Sequence, residues 1–150
     1  MKTSNRLRIV LDTNVLLVSI SEFSQYHWLY QCVLNGVFDV YITNEILTEY
    51  EEIIARKLSP EAAKRVVRTL VELENVFSSV VYYKLGLIEA DADDNKFVDC
   101  AFLVGANFLV TNDKHFNVLR NIAFPKIRII KLEKFKEFLI ENNLLAGGLQ

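Results

Sequence analysis

The sequence has few of the residues that break or staple a chain: five glycines, two prolines and two cysteines in 150 residues. With 51% apolar residues, that scarcity excludes a disordered or low-complexity protein and predicts a compact one. No internal repeat or linker divides it, so one domain is expected over 1–150, with 143–150 a frayed tail. Cys32 and Cys100 stand alone, without a second thiol or a histidine at zinc spacing. They read as buried, reduced thiols of a cytoplasmic protein. An excess of positive charge is also missing. Seventeen basic residues face 19 acidic ones, a net charge of −2, which argues against gripping nucleic acid mainly by neutralising phosphates. Neither a signal peptide nor a membrane span is expected, because Asp12 interrupts the first apolar run and no small-residue cleavage site follows. The two histidines, His27 and His115, form no apparent Ser/His/Asp arrangement.

What is present is an alternation of buried strands and amphipathic helices. Ile9, Val10 and Leu11 form a β-rich apolar run that stops at Asp12. A helix is expected over 25–35 from the stripe of Trp28, Leu29, Cys32 and Val33, with Gly36 in the left-handed position beyond its end. A second strand is read at 37–42, then a helix capped by Thr43 with Ile46, Leu47, Tyr50, Ile53 and Ile54 on one face. Ser59-Pro60-Glu61 restarts a helix that extends to about Phe77. The β-branched and aromatic run 79–83 is read as a third strand. An acidic turn at 91–94 leads into a helix over 95–105. Strands at 108–110 and 127–130 and a last helix over 132–142 complete the pattern. Strands alternating with helices call for a parallel sheet covered on both faces.

Two strand ends repeat one logic. Asp12-Thr13-Asn14 follows the first buried strand, and Thr111-Asn112-Asp113 follows the fourth. In an open α/β sheet, groups at the carboxyl ends of the strands line the ligand crevice. Asp94 opens a later helix on its apolar face, and Glu49 lies at the edge of a packed helical stripe. Each acid also has an ordinary explanation: Asp12, Asp94 and Asp113 as helix caps, Glu49 as an edge charge. Carboxylates drawn together from distant parts of the chain repel and need a counter-charge. Mg²⁺ or Mn²⁺, with a preference for oxygen ligands, supplies it.

This ordered set resembles the PIN-domain nuclease pattern: Asp12-Thr13-Asn14, Glu49 within Glu-Ile-Leu-Thr-Glu-Tyr, Asp94 followed by Asn-Lys-Phe-Val-Asp-Cys-Ala, and Thr111-Asn112-Asp113. The resemblance covers Ile9 to about Leu139. It implies a three-layer α/β domain whose parallel sheet of about five strands runs in the order 3-2-1-4-5. It also implies a Mg²⁺- or Mn²⁺-dependent ribonuclease whose catalytic and metal-binding residues are Asp12, Glu49, Asp94 and Asp113. Asp94, rather than Asp91 or Asp93, is chosen because it stands seven residues before Ala101, the family's spacing. Asn14, Thr111 and Asn112 are expected to orient carboxylates, with Asp99 peripheral. Many similar proteins are the toxin half of a toxin–antitoxin pair, which implies an antitoxin partner.

RNA is the expected substrate. Arg56, Lys57, Arg65 and Arg68 form either a positive rim that follows its backbone or a merely solvated helical face. Tyr26, Trp28 and Tyr30, on one helix, suggest a homodimer. A haloacid-dehalogenase-type phosphatase would need a second Asp where Asn14 stands. A response-regulator receiver would need an acidic pair before Asp12, and residues 1–11 hold no acid. The weightier alternative is a PIN-like module that binds RNA or a protein partner with little hydrolysis.

Overall fold

The computed structural model describes residues 5–88 and 92–147. A single five-stranded sheet of β1 (Arg8–Leu11), β2 (Asp39–Ile42), β3 (Val76–Ser78), β4 (Phe108–Val110) and β5 (Ile129–Ile130) runs in the order β3-β2-β1-β4-β5, with every adjacent pair parallel. Parallel neighbours need crossovers, and six helices supply or flank them: α1 (Thr13–Ser19), α2 (His27–Leu34), α3 (Asn44–Lys57), α4 (Pro60–Glu72), α5 (Asn95–Val104) and α6 (Leu132–Glu141). In β1, Ile9, Val10 and Leu11 are all buried, as a central strand sandwiched by helices requires.

Local chemistry fixes the helix ends. Thr43 and Ser59 accept hydrogen bonds from the Ile46 and Ala62 amides, which caps α3 and α4. Gly36 and Gly105 hold φ of +69° and +62°, where a side chain would be strained, and let the chain leave α2 and α5. Phe135 of α6 is fully buried, its ring 5.4 Å from that of Phe38 and 6.2 Å from that of Phe108. Cys32 and Cys100 are buried free thiols. Among the described residues, no helix is long and apolar enough to cross a membrane.

The third strand differs from the expected one. Helix α4 stops at Glu72, well short of Phe77, and β3 is Val76–Ser78 rather than 79–83. The cause is Asn75, a buried residue whose side-chain amide donates to the Val33 and Phe38 carbonyls while its own carbonyl accepts from the Val40 amide. That anchor sets the register Val40↔Val76, Tyr41↔Phe77 and Ile42↔Ser78. β2 ends at Ile42 because Thr43 turns the chain into α3, so after the Ser79 amide bonds to the Ile42 carbonyl the third strand has no partner left. Residues 80–88 continue without regular structure, with Val80, Tyr82 and Tyr83 exposed. The described part of the expected tail is docked in part. The Leu144 amide donates to the Leu139 carbonyl and Leu145 packs against the core, while 148–150 and Asp91 lie outside the described residues.

Candidate metal centre

The sheet order puts β1 beside β4, in the register Leu11↔Val110, so the residues that follow them emerge together. The Asp12 amide donates to the Val110 carbonyl at 3.1 Å, and the Asp12 carboxylate accepts from the Thr111 hydroxyl at 2.8 Å. Asp12 stands at the N-cap position of α1, yet its side chain makes no capping hydrogen bond. It is 5% exposed. Burial pushes its carboxyl up to about 6; the Thr111 hydroxyl and Thr13 amide oppose that rise, and the charges of Asp113 and Glu49 add to it. A carboxylate that feels Asp113 and Glu49 from a buried position belongs to a cluster, not to a cap.

Asp113 follows the same strand end. Its amide donates to the Thr111 hydroxyl at 3.0 Å, so one threonine orders two acids. One Asp113 oxygen also accepts from the His115 amide at 2.9 Å, opening the 3₁₀ turn Lys114–Asn121, so the capping explanation does hold for this acid. Asp94 ends the 3₁₀ turn Ala92–Asp94 and precedes α5 with helical dihedrals and no capping hydrogen bond from its side chain. Ligand atoms of Asp94, Asp113 and His115 all lie within 4.8 Å of one another. The His115 Nδ1 is 3.6 Å from an oxygen of each acid.

Glu49 projects from α3 toward the same crevice but is tightly engaged. It accepts a short hydrogen bond from the Thr13 hydroxyl and forms an ion pair of 2.6 Å with Lys96 in the first turn of α5. Helix α3 is itself fastened to β1, because the buried Tyr50 hydroxyl donates to the Leu11 carbonyl at 2.5 Å. Lys96 and His115 are the residues that sequence reasoning undervalued. The signal for Lys96 was its place immediately after Asp94-Asn95. For His115 it was the two-residue step from Asp113.

The remaining residues separate. Thr111 touches the cluster directly through Asp12 and Asp113. Asn112 is exposed and its side-chain oxygen accepts from the Leu132 amide at 3.0 Å, so it starts α6 rather than holding a carboxylate. Asn14 is exposed on α1. Asp99 is buried and accepts from the Leu85 amide at 3.0 Å, pinning the irregular segment beside a cleft that Lys84, Asp93 and Lys96 also line. Burial raises its carboxyl, while the Leu85 amide and Lys84 oppose the shift. Asp93 is exposed. Arg56 and Lys57 occupy the last turn of α3, and Arg65 and Arg68 lie on α4, all exposed. Arg56 is two helical turns, roughly 10 Å, along α3 from Glu49. Arg65 acts electrostatically on the Tyr30 phenol of α2. Trp28 is half-buried, its ring 6.4 Å from that of Phe135 and 5.8 Å from the Lys136 ammonium, so much of its surface is used within the chain.

The donor set fits a divalent cation. It is rich in anionic oxygen, it is drawn from three separate chain segments, and it contains a buried carboxyl, Asp12, on which no positive charge acts among the described residues. The Lys96 ammonium beside these acids is taken up by Glu49.

Comparison with known proteins agrees with this geometry. A family model described as PIN domain matches residues 8–115. None of the curated proteins compared is similar enough in sequence to count as a relative. Among solved structures, DNA-bound VapBC from Salmonella typhimurium is 25% identical, with a TM-score of 0.57 over 84% of this chain and 98% of that one. VapBC2 from Rickettsia felis, bound to a promoter DNA fragment, is 15% identical with a TM-score of 0.57, covering 83% of this chain and 98% of that one. VapC20 from Mycobacterium tuberculosis, a toxin that cleaves the sarcin–ricin loop, is 15% identical with a TM-score of 0.55, covering 80% and 98%. At 15% identity the last two speak to the fold alone.

Proposed function

The chain belongs to the PIN domain family, and from that premise we propose that it is a Mg²⁺- or Mn²⁺-dependent ribonuclease that hydrolyses RNA phosphodiester bonds. The observation that carries this reading is the gathering of Asp94 and Asp113 around one point, with the buried Asp12 close enough to feel Asp113 and Glu49. Asp12, Asp94 and Asp113 hold the cation, and Glu49 completes the acidic set. A divalent cation in such a site stabilises charge on a phosphoryl group and lowers the pKa of bound water. The chain's own part is positioning. Thr111 fixes Asp12 and the start of the Asp113 turn, while Thr13 and Lys96 fix Glu49 from opposite helices. Such bonds keep the carboxylates oriented, and metal sites depend on them.

The exposed Arg56, Lys57, Arg65 and Arg68 provide RNA affinity away from the chemistry. A toxin role with an antitoxin partner is supported by the likeness to the Salmonella typhimurium VapBC. A homodimer is supported by the partly exposed Tyr26, Trp28 and Tyr30 at the start of α2; light scattering showing only monomer at tens of micromolar would refute it.

The test of the activity is cleavage of single-stranded RNA by the purified chain with Mn²⁺ or Mg²⁺, with EDTA, and with Asp94→Asn. Cleavage confined to the metal-loaded unmodified protein supports the reading. RNA binding without metal-dependent cleavage would make the chain a binding module instead.

A further inference from the structure

His115 is placed as a ligand would be. Its backbone amide is tied to Asp113 at 2.9 Å, and the next residue, Phe116, is fully buried, so the core sets the turn on which the imidazole stands. The Nδ1 lies 3.6 Å from Asp94 Oδ2 and 3.6 Å from Asp113 Oδ1. That is too long for a hydrogen bond to either. It is close to the separation of about 3–3.5 Å between neighbouring donors on an ion bound at about 2.1 Å. The imidazole is also partly open to solvent, its side chain 42% exposed.

Resting on the metal-dependent reading above, we propose that the His115 Nδ1 is itself a ligand, so that the bound cation has a mixed donor set in which one imidazole joins the aspartate carboxylates. Mixed donors change which ion is held. Mg²⁺ takes oxygen ligands and keeps its waters, whereas imidazole nitrogen suits first-row transition ions. The site therefore prefers Mn²⁺ and its heavier neighbours to Mg²⁺. This preference comes from one residue.

The test is pulsed electron paramagnetic resonance of Mn²⁺ bound to the full chain, with unlabelled and with ¹⁵N-histidine-labelled protein. A directly bound imidazole gives a nitrogen modulation that changes on histidine labelling. His27 stands on α2 with its Nδ1 2.8 Å from the Ser19 carbonyl, and a signal from it would persist in the His115 variant, which retains it. Lys96, the other nearby nitrogen, is silent to that label. His115→Gln should remove the modulation and lower the preference for Mn²⁺ over Mg²⁺ about tenfold or more, the scale on which metal-site partners act, while Mg²⁺ affinity changes little. Mn²⁺ bound without a histidine nitrogen signal would overturn the imidazole ligand and leave the carboxylate site standing. Failure of the unmodified chain to bind Mn²⁺ at all would overturn both.

Discussion

Asp12 makes the metal-free protein less stable as pH rises from about 4 to about 6, and the size of the effect follows from its surroundings. The carboxyl is buried and pushed up to about 6, chiefly by burial, against an ordinary value of 3.8. Between about pH 4 and pH 6 the unfolded chain gives up this proton while the folded chain retains it. The folded state then binds more protons, so stability falls as pH rises through that window and levels off above about 6. A gap of about two pH units corresponds to about 3 kcal/mol. In a domain of this size that is roughly 6–12 °C of melting temperature. Asp99, also raised by burial, adds in the same direction, so the quantity to read is a difference. Thermal unfolding in EDTA should be recorded from pH 4 to pH 7 for the unmodified protein and for Asp12→Asn, whose amide oxygen can still accept from Thr111. The gap between the two curves should widen in favour of the asparagine variant from pH 4 to about 6, then hold. Parallel curves would refute the assignment of a buried, proton-retaining Asp12. With Mn²⁺ present the gap should reverse, because the cation requires the ionised carboxylate.

Three other outcomes follow. Tyr50→Phe removes a buried donor to the Leu11 carbonyl and should cost about 1–2 kcal/mol in denaturant unfolding, with metal affinity reduced because α3 and Glu49 lose their tie to β1. Lys96→Met should release Glu49, lowering stability in EDTA by about 1 kcal/mol, since the pair is partly exposed, and titration with Mn²⁺ should recover most of that loss. Changing Arg56 and Lys57 to Ala should weaken RNA binding and reduce the log–log salt slope by roughly one unit for each phosphate no longer neutralised, with metal binding unchanged; an unaltered slope would make these residues a solvated face.

The parts of the fold legible from sequence are those written in local chemistry. The apolar run 9–11, the Thr43 and Ser59 caps and Gly36 each determine their own element, and the observed strand order is the one the family resemblance implies. The third strand was not legible, because its position is decided by Asn75 reaching the Val33 and Phe38 carbonyls, 42 and 37 residues away. The run 79–83 has strand composition and no neighbour to pair with. At the site, Asp12 and Asp113 stand out in sequence because each follows a buried strand, while Glu49 and Asp94 stand out through their helix faces and the family resemblance. Their partners do not. Lys96 as a first-turn lysine and Thr13 after an aspartate are ordinary in a sequence, and their roles appear only when α1, α3 and α5 are brought together at Glu49. Asn112 errs the other way: it lies among site residues in sequence, while its side chain serves α6.

Asp94→Asn tests the central claim most directly, because it removes one charge while keeping the shape. If Asp12, Glu49, Asp94 and Asp113 share one metal site, the variant loses cleavage yet melts higher than the unmodified protein in EDTA, by about 1 kcal/mol of relieved repulsion. Mn²⁺ at a hundredfold excess over its dissociation constant then stabilises the unmodified protein by about 2–3 kcal/mol and the variant less. A variant that melts lower in EDTA, with Mn²⁺ shifting neither protein, would contradict a shared metal centre.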